Sequence, residues 1–103
     1  MKRATWKASE RRMAEALGGR RIPVTGRGRG DSPDIEHDRW AIEHKCGRVM
    51  SSRLLEAVDQ AMAAAATSGK VPLVTIDQSM GPGKANRRFV LLRLEDFLEV
   101  KTL

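Results

Sequence analysis

A helical period opens the chain. Trp6, Met13, Ala14 and Leu17 share one stripe between a capping Thr5 and a Gly18-Gly19 stop, which predicts a helix over 6–17. The period then shortens. Residues 20–25 (RRIPVT) read as a first strand, confined to a sheet edge or a bulge by Pro23, which has no N–H to donate. Residues 32–45, SPDIEHDRWAIEHK, read as two strands joined by a turn at His37-Asp38-Arg39. A second helix over 52–67 places Leu54, Leu55, Val58, Ala61, Met62 and Ala65 on one face. Ala57, Ala64 and Ala66 widen that face beyond what one sheet covers, leaving apolar surface for another helix or another subunit. Gly69 ends it. Residues 71–76 and 88–94 read as strands flanking a Gly/Pro loop over 77–87 that carries Lys84 and Arg87 near its end. Glu95 and Asp96 favour the N-terminus of a closing helix, EDFLEVKTL, with Phe97 and Val100 facing inward.

The element order is therefore α-β-β-β-α-β-β-α, an α/β chain expected to form a single domain over 1–103. Two polar residues need explanation. Glu10 lies in the apolar stripe of the first helix, so it either sits at the stripe's edge and pairs with Lys7 or Arg3, or is desolvated and meets a partner or a cation. Gln60 lies on the narrow polar side of the second helix with Arg53, Glu56 and Thr67, where a solvated amide is the ordinary reading.

The central hairpin holds the most chemistry. Side chains alternate faces along a strand, so Glu43 and Lys45 project to one side, Ile42 and His44 to the other. Antiparallel pairing brings Asp34 close to Glu43 and Lys45. Two carboxylates on one face repel unless a cation lies between them, and hard divalent cations favour carboxylate oxygens.

Charge adds a polyanion to the picture. The net charge of the 103 residues is +6, and it lies in one half: residues 1–53 hold 13 Lys/Arg against 7 Asp/Glu, residues 54–103 hold 6 of each. A basic surface around a few carboxylates suits nucleic acid, whose affinity is dominated by phosphate attraction. The loop Gly26-Arg27-Gly28-Arg29-Gly30 lets backbone and arginines approach phosphates, but lacks the residues of a P-loop or dinucleotide fingerprint, so no nucleotide cofactor is expected. Cys46 is the only cysteine and His37 and His44 the only histidines, which excludes an intrachain disulfide and a zinc centre rich in either. No apolar run reaches membrane-spanning length and the N-terminus has no secretory h-region; a reducing cytoplasm is the expected compartment.

The motif and the element order together resemble the archaeal and phage Holliday junction resolvases of the PD-(D/E)XK nuclease superfamily. Lys7, Glu10 and Arg11 match the Lys-x-x-Glu-Arg-like opening helix. Arg21 and Thr25-Gly26 match the arginine strand ending in a small-Gly pair, and Pro33-Asp34-Ile35, Glu43-His44-Lys45 and Gln60 match the remaining positions. The resemblance implies a restriction-endonuclease-like fold, a central mixed five-stranded sheet flanked by helices. It implies Mg²⁺, replaceable by Mn²⁺, held by Asp34, Glu43 and the His44 carbonyl, with Glu10 contributing directly or through water. Lys45 would orient the attacking water, and Glu10, Asp34, Glu43 and Lys45 would form the catalytic set. Arg11, Arg27 and Arg29 would hold the phosphate backbone, with Lys7, Arg21, Gln60, Lys84 and Arg87 completing the DNA surface. The implied activity is resolution of four-way junctions by a homodimer, since two strands must be cut symmetrically. The rival expectations are a relative cutting flaps, single strands or duplex, and a basic DNA-binding module without catalysis.

Overall fold

The computed structural model describes residues 5–23 and 33–100. The chain divides into two compact units, the first ending at Val49 and the second beginning at Met50.

The first unit contains α1 (Thr5–Leu17), β1 (Arg20–Arg21) and β2 (Ile35–Glu36). α1 buries Glu10, Ala14 and Leu17, which recur at helical spacing. Its end is a Schellman motif: the Gly19 N–H donates to the Ala14 carbonyl at 2.8 Å and the Gly18 N–H to the Glu15 carbonyl at 3.2 Å. The two glycines are required for different reasons. Gly18 adopts φ 76°, the left-handed region that side chains resist. Gly19 lies so close to β2 that a Cβ there would fall 2.5 Å from the Glu36 carbonyl oxygen and 2.9 Å from Ile35 Cγ2. This approach brings the end of α1 onto Ile35, the one fully buried large side chain among the described residues. β1 and β2 pair antiparallel, Arg20 opposite Glu36 and Arg21 opposite Ile35, and the Ile22 N–H extends the pairing to the Asp34 carbonyl at 2.9 Å.

The turn after β2 forms where the sequence places it. His37 Nδ1 accepts from the backbone N–H groups of Arg39 (3.0 Å) and Trp40 (3.3 Å). The expected return strand does not follow. Ile42 makes a single isolated antiparallel bridge to Ile35. Its carbonyl accepts from both Asp34 N–H (2.9 Å) and Ile35 N–H (3.3 Å), a two-against-one arrangement that interrupts a ladder. Beyond it, the His44 N–H is taken by the Asp34 side chain at 2.8 Å. A side-chain acceptor has replaced the strand partner.

The second unit contains α2 (Ser52–Ser68), β3 (Val74–Gln78), β4 (Arg87–Leu91) and α3 (Leu94–Val100). Ser51 caps α2, its hydroxyl accepting from the Leu54 N–H at 3.2 Å, and Gly69 at φ 71° closes it with an N–H bond to the Ala65 carbonyl. β3 and β4 pair antiparallel over five residues each, from Val74 opposite Leu91 to Gln78 opposite Arg87. The ladder begins after Pro72, which cannot donate to it. It ends before Arg93, whose carbonyl accepts from the Phe97 N–H at 3.0 Å at the start of α3. The Arg93 guanidinium donates to Asp96 at 2.8 Å, and this bond, with attraction to Asp96 and Glu95, holds its pKa above the ordinary arginine value. Phe97 is half-buried, whereas Val100, expected to face inward, is exposed.

The expected central mixed five-stranded sheet, and with it the restriction-endonuclease-like fold class, is overturned. The described strands form two separate two-stranded antiparallel sheets, β1-β2 and β3-β4. Two physical reasons account for this. The return strand that would extend the first sheet is reduced to one bridge, and β3 and β4 satisfy each other as a local hairpin. The expected strand positions Val24 and Thr25, the loop over 26–30 and the last residues of the closing helix, 101–103, lie outside the described residues. No helix among the described residues is long and apolar enough to cross a membrane.

Candidate functional site

Glu10 is buried, 2 % exposed, on the face of α1 that packs toward β1 and β2. A cation beside it is Arg21, whose Nε lies 2.6 Å from Glu10 Oε1. The Arg21 Nε–H itself makes no aligned hydrogen bond, so charge attraction acts at this contact. Arg21 also covers the Trp6 ring, its Cζ 5.5 Å from the centroid. Lys7, the partner considered from sequence, is exposed and lies 5.6 Å from the same ring. Arg3 is outside the described residues.

Asp34 is half-buried at the start of the hairpin, its carbonyl bonded to Ile22 N–H and its carboxylate to His44 N–H. The carboxylate therefore lies against the peptide joining Glu43 to His44. Glu43 and Lys45 are exposed and His44 is half-buried, which follows strand-like alternation even without a regular strand.

The remaining residues distribute between the units. Arg11 is exposed on α1. Gln60 is exposed on α2, Lys84 and Arg87 are exposed at the β3–β4 connection and the start of β4, and Arg87 lies over Phe89 at 5.9 Å. Arg27 and Arg29 fall outside the described residues. The first unit thus gathers Glu10, Arg21, Asp34 and the Glu43-His44-Lys45 segment, while Gln60, Lys84 and Arg87 belong to the second.

One pair escaped the sequence reading. Ser9 Oγ and His44 Nε2 are 2.9 Å apart, linking α1 to the segment after the turn. Ser9 stands three positions after Trp6 and four before Met13, the same inner stripe that drew attention to Glu10. A serine on a packing face was the available signal.

Among the described residues no group of three or more His, Cys, Asp or Glu side chains is gathered as metal ligands. Of the four carboxylates in the hairpin segment, the motif pair is Asp34 and Glu43. Such a pair fits Mg²⁺, which takes one or two protein carboxylates and completes its shell with water and phosphate oxygens. It does not fit zinc, which prefers closed sets of nitrogen and sulfur ligands. No protein-family model, curated protein or solved structure matches this chain.

Proposed function

We propose that this chain is a metal-dependent endodeoxyribonuclease that hydrolyses a DNA phosphodiester at the Asp34–Glu43–Lys45 hairpin, acting on four-way junctions as a homodimer. The observation that carries this reading is the Asp34 carboxylate seated on the His44 N–H at 2.8 Å, which joins the Pro33-Asp34 and Glu43-His44-Lys45 segments. The proposal rests on that hairpin and on no five-stranded sheet. Asp34, Glu43 and the His44 carbonyl would hold Mg²⁺ or Mn²⁺, which supplies Lewis acidity toward the phosphate and makes water a better nucleophile. The exposed Lys45 ammonium, two residues after Glu43, would orient water and offset charge developing on phosphate. Glu10, paired with Arg21, links α1 to β1. Arg11, Arg27 and Arg29, with Lys7, Gln60, Lys84 and Arg87, would contact DNA without reading sequence. The dimer surface would be the apolar face of α2, a helix with no buried residue whose Leu55 and Met62 are 46 % and 39 % exposed.

The test compares cleavage of a four-way junction with that of a linear duplex of matched sequence, in Mg²⁺, Mn²⁺ and EDTA. Asp34→Asn and Glu43→Gln should each abolish cleavage while preserving circular dichroism and DNA binding. Lys45→Ala should lose cleavage yet retain Mn²⁺ affinity by calorimetry. Equal cutting of duplex or flap would remove the junction preference, and a monomer by sedimentation that still makes paired cuts would remove the dimer. The engagement of Glu10 by Arg21, with no group of three or more metal-ligating side chains gathered among the described residues, favours a second reading: a basic DNA-binding module whose acids are structural. It requires salt-dependent DNA binding with no nicking in either metal.

A further inference from the structure

Four polar links close into a circuit in the first unit. Glu10 on α1 meets Arg21 on β1 at 2.6 Å. Ile22, next along the chain, donates its N–H to the Asp34 carbonyl at 2.9 Å. The Asp34 carboxylate accepts from the His44 N–H at 2.8 Å. The His44 ring returns to Ser9, the neighbour of Glu10, at 2.9 Å. We infer that Ser9 and His44 are positioning residues: their bond sets the backbone from which Glu43 and Lys45 project, an assignment that rests on the nuclease reading for its catalytic consequence.

The segment after the turn needs such a tether. It has one isolated bridge to β2 instead of a ladder, so few other bonds fix it. By alternation His44 faces away from Glu43 and Lys45, so anchoring its ring to α1 fixes the opposite face without occupying it. Helix α1 is a firm anchor, since it ends in the Schellman motif and is drawn onto β1 by the buried Glu10–Arg21 pair. A serine hydroxyl both donates and accepts, so the bond forms with either neutral tautomer of His44. Supporting hydrogen bonds of this kind tune a site without touching substrate.

The experiment uses the full chain. The His44 and Lys45 backbone amides are followed by ¹H–¹⁵N NMR without metal, with circular dichroism as the folding control. Ser9→Ala should shift both amides and speed hydrogen exchange of the His44 N–H about tenfold, the loss of one side-chain hydrogen bond. Ser9→Thr, which keeps the hydroxyl, should restore them. On a junction substrate Ser9→Ala should lower kcat about tenfold and leave KM for DNA unchanged. His44→Gln, a second route to the same loss, should reproduce the Lys45 shift. Unperturbed amides in Ser9→Ala, or Ser9→Thr behaving as Ser9→Ala does, would overturn the inference whatever happens to cleavage. A wild-type chain that never cuts DNA overturns the nuclease reading and any role of Ser9 in cleavage, while the amides still decide whether the tether exists.

Discussion

Helix α2 in the second unit runs for 17 residues, is capped at both ends and buries none of its side chains. Helix α1 in the first unit runs for 13 residues, and Glu10, Ala14 and Leu17 are all buried. The sheets differ in the same way. β3 and β4 form a complete five-residue ladder from neighbours in sequence, while β1 and β2 pair over two residues separated by a long connection. The second unit is ordered by local hydrogen bonds, caps and turns. The first is ordered by a small core and by links between residues far apart in the chain, such as Arg21 with Glu10 and Ser9 with His44. Regular secondary structure and tertiary burial are thus separable in this protein, and the candidate chemistry lies where burial dominates.

The two regions can be probed independently, because both tryptophans, Trp6 and Trp40, fall in the first unit and the longest helix in the second. The largest effect is expected from Arg21→Met. It removes the Arg21 guanidinium from the buried Glu10 carboxylate, and breaking a buried ion pair from one side is a loss of up to about 3–5 kcal/mol. Urea denaturation followed by tryptophan fluorescence should show it. The neighbouring Arg20 is the control: its ion pair with Glu36 is 81 % exposed on the arginine side, against 16 % for Arg21. Arg20→Met should change stability by less than about 1 kcal/mol. Equal effects at the two positions would erase the distinction drawn from burial.

A smaller effect is expected from Gly19→Ala. The added methyl must displace the Glu36 carbonyl and Ile35, an overpacking loss of about 1–3 kcal/mol. The tryptophan transition should move and the α2 signal should not. Gly18→Ala, strained by its positive φ but free of contacts, separates backbone strain from close packing.

The smallest is Ser51→Ala, which removes the hydroxyl cap from α2 and should lower helix stability by about 1 kcal/mol. Circular dichroism should report it, with tryptophan fluorescence unchanged. A coincident shift of both signals would mean that the units unfold together and that the contrast between them has no thermodynamic counterpart.

The bounds of α2 were legible because their causes are local, whereas the strands expected over 71–76 and 88–94 are found at Val74–Gln78 and Arg87–Leu91, where cross-strand pairing sets the ends. Ser51, Gly69 and Pro72 act within a turn or two of their own positions, and the helix expected over 52–67 is found at Ser52–Ser68. In the first unit the sequence marked the Gly18-Gly19 stop and the turn at His37. It also marked Glu10 as a carboxylate on a packing face. It could not choose the partner of Glu10, because Arg21 becomes its neighbour only when α1 folds back on β1. Nor could it show that the Asp34 side chain would take the His44 N–H and leave Ile42 with one bridge in place of a strand.

What the residues determined alone was the placement of helices, stops and turns, whose free energies come from groups a few positions apart. What tertiary structure decided was which backbone groups pair across the chain and which charges meet away from water. The Glu10 carboxylate, which the sequence marks as lying on a packing face, is buried beside the Arg21 guanidinium where α1 meets β1. Desolvation makes an uncompensated charge more unfavourable than any local preference can offset, so the fold places a partner there.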